Sequence, residues 1–294
     1  MIDKVDLVMW TKDGATTLPM VLRRISEVIP HEFVDKKIIV DDQSTDNTRE
    51  IAKSFGWDVF FNEGRGISDG ANTGLRHVTS EYFVSFEQDL LLDVTWWEKM
   101  PEKLSNLRVA VASGMRFADR PRGVRKLQQY VARKYKGETE LASWLRTRQM
   151  SAFILGKTLD NTIYKTQIIR KLRGFPKMRV NAGVETVLAC MISAAGYYWA
   201  VDYNVQSIHL RRGLRQELRH QYWYGTQLYE IWRRIKTETN QPPPITKRGI
   251  LFRFFVSPFT GLFIALKTKE PTITYIHPLI RFYYVKGLLE ASKV

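Results

Sequence analysis

The segment Ile38-Ile39-Val40-Asp41-Asp42-Gln43-Ser44-Thr45-Asp46 decides how this chain is read. A β-branched apolar run stops on two carboxylates, and residues that favour turns and helix caps follow. A second segment repeats the arrangement: Tyr82-Phe83-Val84-Ser85-Phe86-Glu87-Gln88-Asp89. Each puts acids just after a buried run, at the carboxyl end of a strand, the edge at which open α/β sheets bind ligands. Carboxylates gathered there are costly unless cations or hydrogen-bond donors answer them. A divalent cation with a nucleotide diphosphate does so, because hard oxygen ligands suit Mg²⁺ or Mn²⁺. Either segment alone also reads as a solvated acidic loop; the two in this order argue for a shared site.

Outward from these segments the first hundred residues alternate strand and helix. Val5 to Trp10 reads as a buried strand interrupted only by Asp6, and Thr17 to Ile29 as a helix with Pro19 in its first turn. Lys37 to Asp41 is a strand, Ser44 or Thr45 caps a helix through Phe55, and Gly56 ends it. Asp58 to Phe61, Ile67 to Val78 and Tyr82 to Phe86 continue as strand, helix and strand. This spacing predicts an α/β fold with a mainly parallel, Rossmann-like sheet flanked by helices. Beyond about residue 115 the pattern loosens. Residues 120–150 read as basic helices or loops with Tyr130, Tyr135 and Trp144 interleaved; helices are expected at 166–172 and 184–195. Tyr197 to Val201 and Val205 to Leu210 read as short strands, and Leu214 to Ile235 as a long basic helix closed by Pro242-Pro243-Pro244.

The chain has 294 residues and a formal net charge of +15, which implies anionic partners. Residues 119–150 hold nine Arg or Lys against three acids, and residues 247–294 hold eight against two. The one cysteine, Cys190, excludes an internal disulfide and reads as a small buried hydrophobe in a reducing, cytoplasmic setting. The tail has two apolar stretches, Ile250 to Leu266 and Ile273 to Leu289, each broken by charge and proline. Neither supplies the roughly 18–20 uncharged residues of a membrane span. Both resemble interfacial segments edged by Lys and Arg, which predicts peripheral attachment at the inner face of an anionic membrane. Core packing or an oligomer interface is the other reading.

Across residues 5–93 the motifs resemble those of family 2 glycosyltransferases. Val40-Asp41-Asp42-Gln43-Ser44-Thr45-Asp46-Asn47-Thr48 is similar to that family's Val-Asp-Asp-Gly-Ser-Thr-Asp-Gly-Thr segment. Arg65-Gly66-Ile67-Ser68-Asp69-Gly70-Ala71-Asn72-Thr73-Gly74 is similar to its Lys-Gly-Ile-Tyr-Asp-Ala-Met-Asn-Lys-Gly segment, and Glu87-Gln88-Asp89 stands at its Asp-x-Asp position. The resemblance implies the A-type glycosyltransferase fold and inverting transfer from a nucleotide-diphosphate-sugar with Mg²⁺ or Mn²⁺. It implies that Thr11, Lys12 and Asp13 meet the base, that Asp42 accepts hydrogen bonds from base or ribose, and that Arg65 neutralises diphosphate. Asp69 and Asn72 are expected at the donor, Asp89 as metal ligand, and Glu87 on ribose or a metal-bound water. Gly14 departs from an acid usual in its segment, Trp10 from a common proline, and Glu87 from the first Asp, adding a methylene of reach.

The second half carries a looser likeness. Thr162 to Lys165, Leu172 to Pro176 and Gly183-Val184-Glu185-Thr186 resemble the elements around the family's acceptor site. They imply Glu185 as the general base and His209 as a late metal or phosphate contact. The expected organisation is a glycosyltransferase domain over 1–240, with a nucleotide-sugar half at 1–115 and an acceptor half at 116–240. A helical, basic extension at 241–294 follows. The acceptor is expected to be a hydroxyl or phosphate, lipid-linked or on a growing glycan. Three rivals fit less well. A dinucleotide oxidoreductase needs a full glycine fingerprint after the first strand, and Gly64-x-Gly66 lies elsewhere. A sugar nucleotidyltransferase needs a glycine-rich basic loop there, and Thr11 to Leu18 holds one glycine. A nucleic-acid-binding protein would use the basic aromatic stretch but be repelled by the acidic clusters; no nucleic-acid partner is expected.

Overall fold

The computed structural model describes residues 2–135, 156–179, 181–210, 213–243 and 246–292. Trp144 and Pro244 lie outside the described residues, as does the basic stretch beyond residue 135. The chain forms two compact units, one of Met1–Arg116 with Gly156–His209, the other of Phe117–Leu155 with Leu210–Val294. The boundary expected near residue 240 falls inside the second of these.

In the first unit, strands and helices alternate as β1 (Val5–Thr11), α1 (Leu18–Val28), β2 (Val34–Asp41), α2 (Thr48–Ser54), β3 (Asp58–Phe61), α3 (Gly66–His77) and β4 (Tyr82–Glu87). There follow β5 (Leu90–Leu91), α4 (Trp96–Lys103) and β6 (Val109–Ala118), whose last two residues begin the second unit. After α5 (Arg122–Tyr135), which belongs to that unit, come β7 (Asn161–Lys165), α6 (Thr166–Lys171), α7 (Val184–Ala194) and β8 (Tyr198–His209). The eight strands lie in the order β3-β2-β1-β4-β7-β6-β8-β5. The parallel sheet expected from the alternation is realised in β3-β2-β1-β4, and antiparallel pairings of β7 with β4 and β6, and of β5 with β8, extend it. β1 is buried along its whole length, with helices on the sheet to cover it. α1 turns Leu18, Val21, Leu22, Ile25 and Val28 inward at helical spacing. Asp6 is tolerated in that core because its carboxylate accepts from the Thr79 and Ser80 amides and the Ser80 hydroxyl, at 2.6, 3.0 and 3.0 Å.

Register brings the two acidic segments to one edge. Thr11 pairs with Asp41 and Trp10 with Glu87, so both segments flank the end of β1. Two strand spacings, about 9.5 Å, separate β2 from β4. The two short strands expected at 197–210 are one twelve-residue strand, β8. Its end lies beside β5, with His209 opposite Leu90.

The second unit is helical. α8 (Leu214–Thr239), α9 (Lys247–Phe255), α10 (Ser257–Thr268) and α11 (Ile273–Ala291) pack with α5. Leu228 of α8 is buried with Ile250, Val285 and Leu288, while Leu127 of α5 is buried with Ile264, Ala265 and Ile273. α8 and α11 come together backbone to backbone. A Cβ on Gly225 would strike the Tyr284 carbonyl, and one on Gly287 the Tyr222 carbonyl. Among the described residues no single helix is long and apolar enough to cross a membrane. α9 and α10 together reach that length and composition but are bent by 58° at their junction.

Candidate active site

At the edge of the sheet, β1 gives way to a loop that the neighbouring segments pin down. Gln88 accepts from the Thr11 hydroxyl and, at 2.8 Å, from the Lys12 amide, and donates to the Lys12 carbonyl at 2.8 Å. Asp13 adopts φ 46° and accepts from the Thr45 amide at 2.8 Å, while its own amide donates to Ser44 Oγ at 2.9 Å. The Gly14 and Ala15 amides donate to Thr48 Oγ1 and Asp46 Oδ2 at 2.8 and 3.0 Å. Gly14 lies against Gln88, where any Cβ would collide, so the departure from an acid here lets the loop close on the glutamine.

Asp41 is fully buried, and one of its oxygens accepts from the Ser44 amide at 3.0 Å; the other has no hydrogen-bond partner. Asp42 reaches the loop before α3, accepting from Asn62 Nδ2 at 3.2 Å and the Gly66 amide at 3.1 Å. Asp69 accepts from the Arg65 amide at 2.9 Å, and the Arg65 side chain is exposed. Asn72 clamps α3 to the turn before α7. It donates to the Phe175 carbonyl at 3.0 Å and accepts from the Phe175 amide at 2.9 Å. Its amide is thus spent on the scaffold, and Asp42 and Asp69 each commit one or two of about four acceptor positions to the loop they shape.

Glu87, Asp89 and His209 converge. One ligating atom from each lies within 4.8 Å of the others. His209 Nε2 stands 3.5 Å from Asp89 Oδ2 and 4.0 Å from Glu87 Oε2. The register accounts for this: His209 faces Leu90, next to Asp89 in the chain. Two carboxylates and an imidazole at that separation suit a single divalent cation, and the imidazole favours Mn²⁺ over the all-oxygen preference of Mg²⁺.

The sequence reading missed two members of this cluster. Arg116 of β6 stands 3.7 Å from Glu87 Oε2 and 2.7 Å from Asp160 Oδ2. Asp160 is fully buried, and its second oxygen has no hydrogen-bond partner. Glu185 sits in the first turn of α7, behind Gly183 at φ 75°, and its charge acts on both Glu87 and Arg116. Burial raises the Glu87 carboxyl to about 8; Asp160, Asp89 and Glu185 push the same way and Arg116 opposes them. Burial alone would lower Arg116, yet Asp160 and Glu87 hold it above its ordinary range, so it stays charged. A lone arginine in the apolar run Val109–Ala118 was the available signal, since a buried guanidinium demands a carboxylate partner.

Residues 7–171 match glycosyl transferase family 2. The chain belongs to that family. This glycosyltransferase matches no curated protein. It is similar in structure to a mannosyltransferase from Pyrobaculum calidifontis in complex with GDP-Man and Mn²⁺, at 18% identity and a TM-score of 0.67 over 98% of this chain and 87% of that one. It is also similar to glucosyl-3-phosphoglycerate synthase from Mycobacterium tuberculosis in complex with Mn²⁺, UDP-glucose and phosphoglyceric acid. That likeness has 18% identity and a TM-score of 0.58 over 81% of this chain and 80% of that one. At these identities the likenesses establish the A-type glycosyltransferase fold.

Proposed function

We propose that the chain is an inverting, metal-dependent glycosyltransferase that moves a sugar from a nucleotide-diphosphate-sugar to an acceptor held near Glu185. The observation that carries this reading is the meeting of Glu87, Asp89 and His209 on the sheet edge that also bears Asp42. Asp89 and His209 would hold the cation, with Glu87 beside them. A divalent ion there would supply positive charge to the departing diphosphate. Thr11, Asp13 and Asp42 line the base and ribose end. Arg65, exposed at the head of α3, meets phosphate; Asp69 holds the loop that presents it, and Asn72 fixes α3 against the turn at Phe175. Arg116, held by Asp160, sets a guanidinium beside Glu87 that offsets part of the repulsion from the surrounding carboxylates. Glu185 takes the proton from an acceptor hydroxyl as that oxygen attacks the anomeric carbon. Direct attack of this kind inverts the configuration.

The acceptor we favour is a lipid-linked phosphate, or a glycan growing on one, met at an anionic membrane surface. The net charge of +15 and the basic, apolar C-terminal helices support it.

Donor binding is tested by thermal shift against UDP-, GDP- and dTDP-sugars with and without Mn²⁺. Asp89→Ala abolishes the Mn²⁺-dependent shift. Glu185→Gln leaves it in place and lowers transfer to a hydroxyl acceptor about 10²- to 10⁴-fold. A phosphate acceptor is already anionic and needs no base, so transfer to polyprenyl phosphate survives the same substitution. Equal loss of donor binding and turnover in Glu185→Gln would overturn the base assignment.

A further inference from the structure

α10 is apolar on two faces, and the protein buries one of them. Ser257, Gly261, Ile264 and Ala265 face inward. Phe259, Leu262, Phe263 and Leu266, spaced i, i+3, i+4 and i+7, all face outward, Phe259 at 77% and Leu266 at 72% exposure. Phe252 and Phe255 of α9 add to the outward face at 67% and 69%. A helix that is apolar all round belongs in a protein core or in lipid, and a contiguous exposed apolar stripe marks an interaction surface.

We propose that the outward face of α9 and α10 is a docking surface that lies in the headgroup boundary of an anionic bilayer. The inference deepens the membrane-surface reading above and rests on it. Charge selects the occupant. Arg248 of α9, Lys267 of α10 and Lys269 just after it are exposed, whereas Glu270 is buried and paired with Arg122 at 3.1 Å. Lys267 Nζ stands 5.7 Å from the centre of the Phe263 ring, a cation–π contact that sets a positive charge against the apolar stripe. Protein interfaces are depleted of lysine at their centres; a phenylalanine and leucine face rimmed by Lys and Arg is the composition of interfacial helices. Length argues for lying in the plane. α10 has 12 residues, about 18 Å of helix, against roughly 30 Å of hydrocarbon. The 58° bend prevents α9 from continuing it as a straight span.

The test is flotation of the full-length protein with phosphatidylcholine vesicles, alone or with 30% phosphatidylglycerol. The wild type floats with the anionic vesicles and at least tenfold less with the neutral ones. Phe259→Glu with Phe263→Glu, both on exposed positions, lowers the bound fraction at least tenfold while unfolding temperature and Mn²⁺-dependent donor binding stay unchanged. No binding to anionic vesicles, or binding that the double variant retains, overturns the proposal. So does a dimer in vesicle-free buffer that the double variant converts to monomer, because the occupant is then a second copy. Leu266→Cys carrying an environment-sensitive dye gives an independent readout, since burial pushes the Cys190 thiol up to about 12 and keeps it unreactive. The dye shifts to the blue on anionic vesicles; unchanged emission counts against insertion. Vesicle binding without any donor binding would sink the sugar-transfer reading and leave the docking surface standing.

Discussion

Glu87 is held in a state that a cation beside it would reverse. With no metal its carboxyl sits at about 8, against an ordinary 4.5, because burial and the neighbouring acids favour the protonated form. A group whose folded-state value is raised stabilises the fold fully below its unfolded value and loses that contribution as pH rises through the folded one. Metal-free protein therefore becomes less stable between pH about 4.5 and about 8, and Glu87→Gln flattens that part of the profile. Urea midpoints measured in chelator across this range check the slope; an identical slope in the variant would count against the assignment. A cation binding there at pH 7 would also expel the proton, so its affinity is expected to climb with pH, as a metal titration across that range would check. Single residues are legible in the sequence where their place along a strand decides their position. Glu87 ends β4 and Asp89 lies two residues on, so no other structure is needed to bring them to the sheet edge. Arg116 and Asp160 were illegible because their meaning is their pairing, across 44 residues of chain.

At the scale of elements, the meeting of α8 and α11 depends on what two residues lack. Gly225 and Gly287 each admit the other helix's backbone, with Tyr284 and Tyr222 carbonyls where a methyl group would stand. Helix propensity alone favours alanine over glycine by about 1 kcal/mol. Overpacking costs about 1–3 kcal/mol. The contact is with backbone, which cannot swing aside, so overpacking decides the sign. Gly225→Ala and Gly287→Ala each destabilise the protein by up to about 2 kcal/mol, read from urea unfolding; stabilisation by either would show the helices able to part freely. The alternating elements up to β4 were legible because apolar periodicity, caps and glycines agree there. β6 was not, since Val109–Ala118 is buried almost throughout and carries no alternation. β8 was divided in two because Asp202 to Asn204 reads as a turn; in the fold Asp202 pairs with Lys103 at 3.1 Å and the strand runs on.

For the whole molecule, the C-terminal helices are not a detachable tail. Leu228 of α8 shares its burial with Ile250, Val285 and Leu288, and α8 lies against α11 along much of its length. Truncation after residue 245 strips the cover from α8. The expected outcome is aggregation or a lowered unfolding temperature, seen by size-exclusion chromatography and thermal melts. A well-folded truncated protein would show α8 to be stable without its partners. Attachment to lipid is accordingly better probed by exposed substitutions than by deletion. The sequence could not show this, because a proline-rich break at 242–244 looks the same whether the helices beyond it fold back or trail away.

Arg116 and His209 also close the two stretches of chain that make up the first unit: the backbone leaves that unit immediately after each of them. The guanidinium beside Glu87 and the imidazole beside Asp89 therefore come from the last residue of each stretch. Ending either stretch one position earlier would withdraw a charged or ligating group from the pocket while leaving every other residue of that unit in the chain.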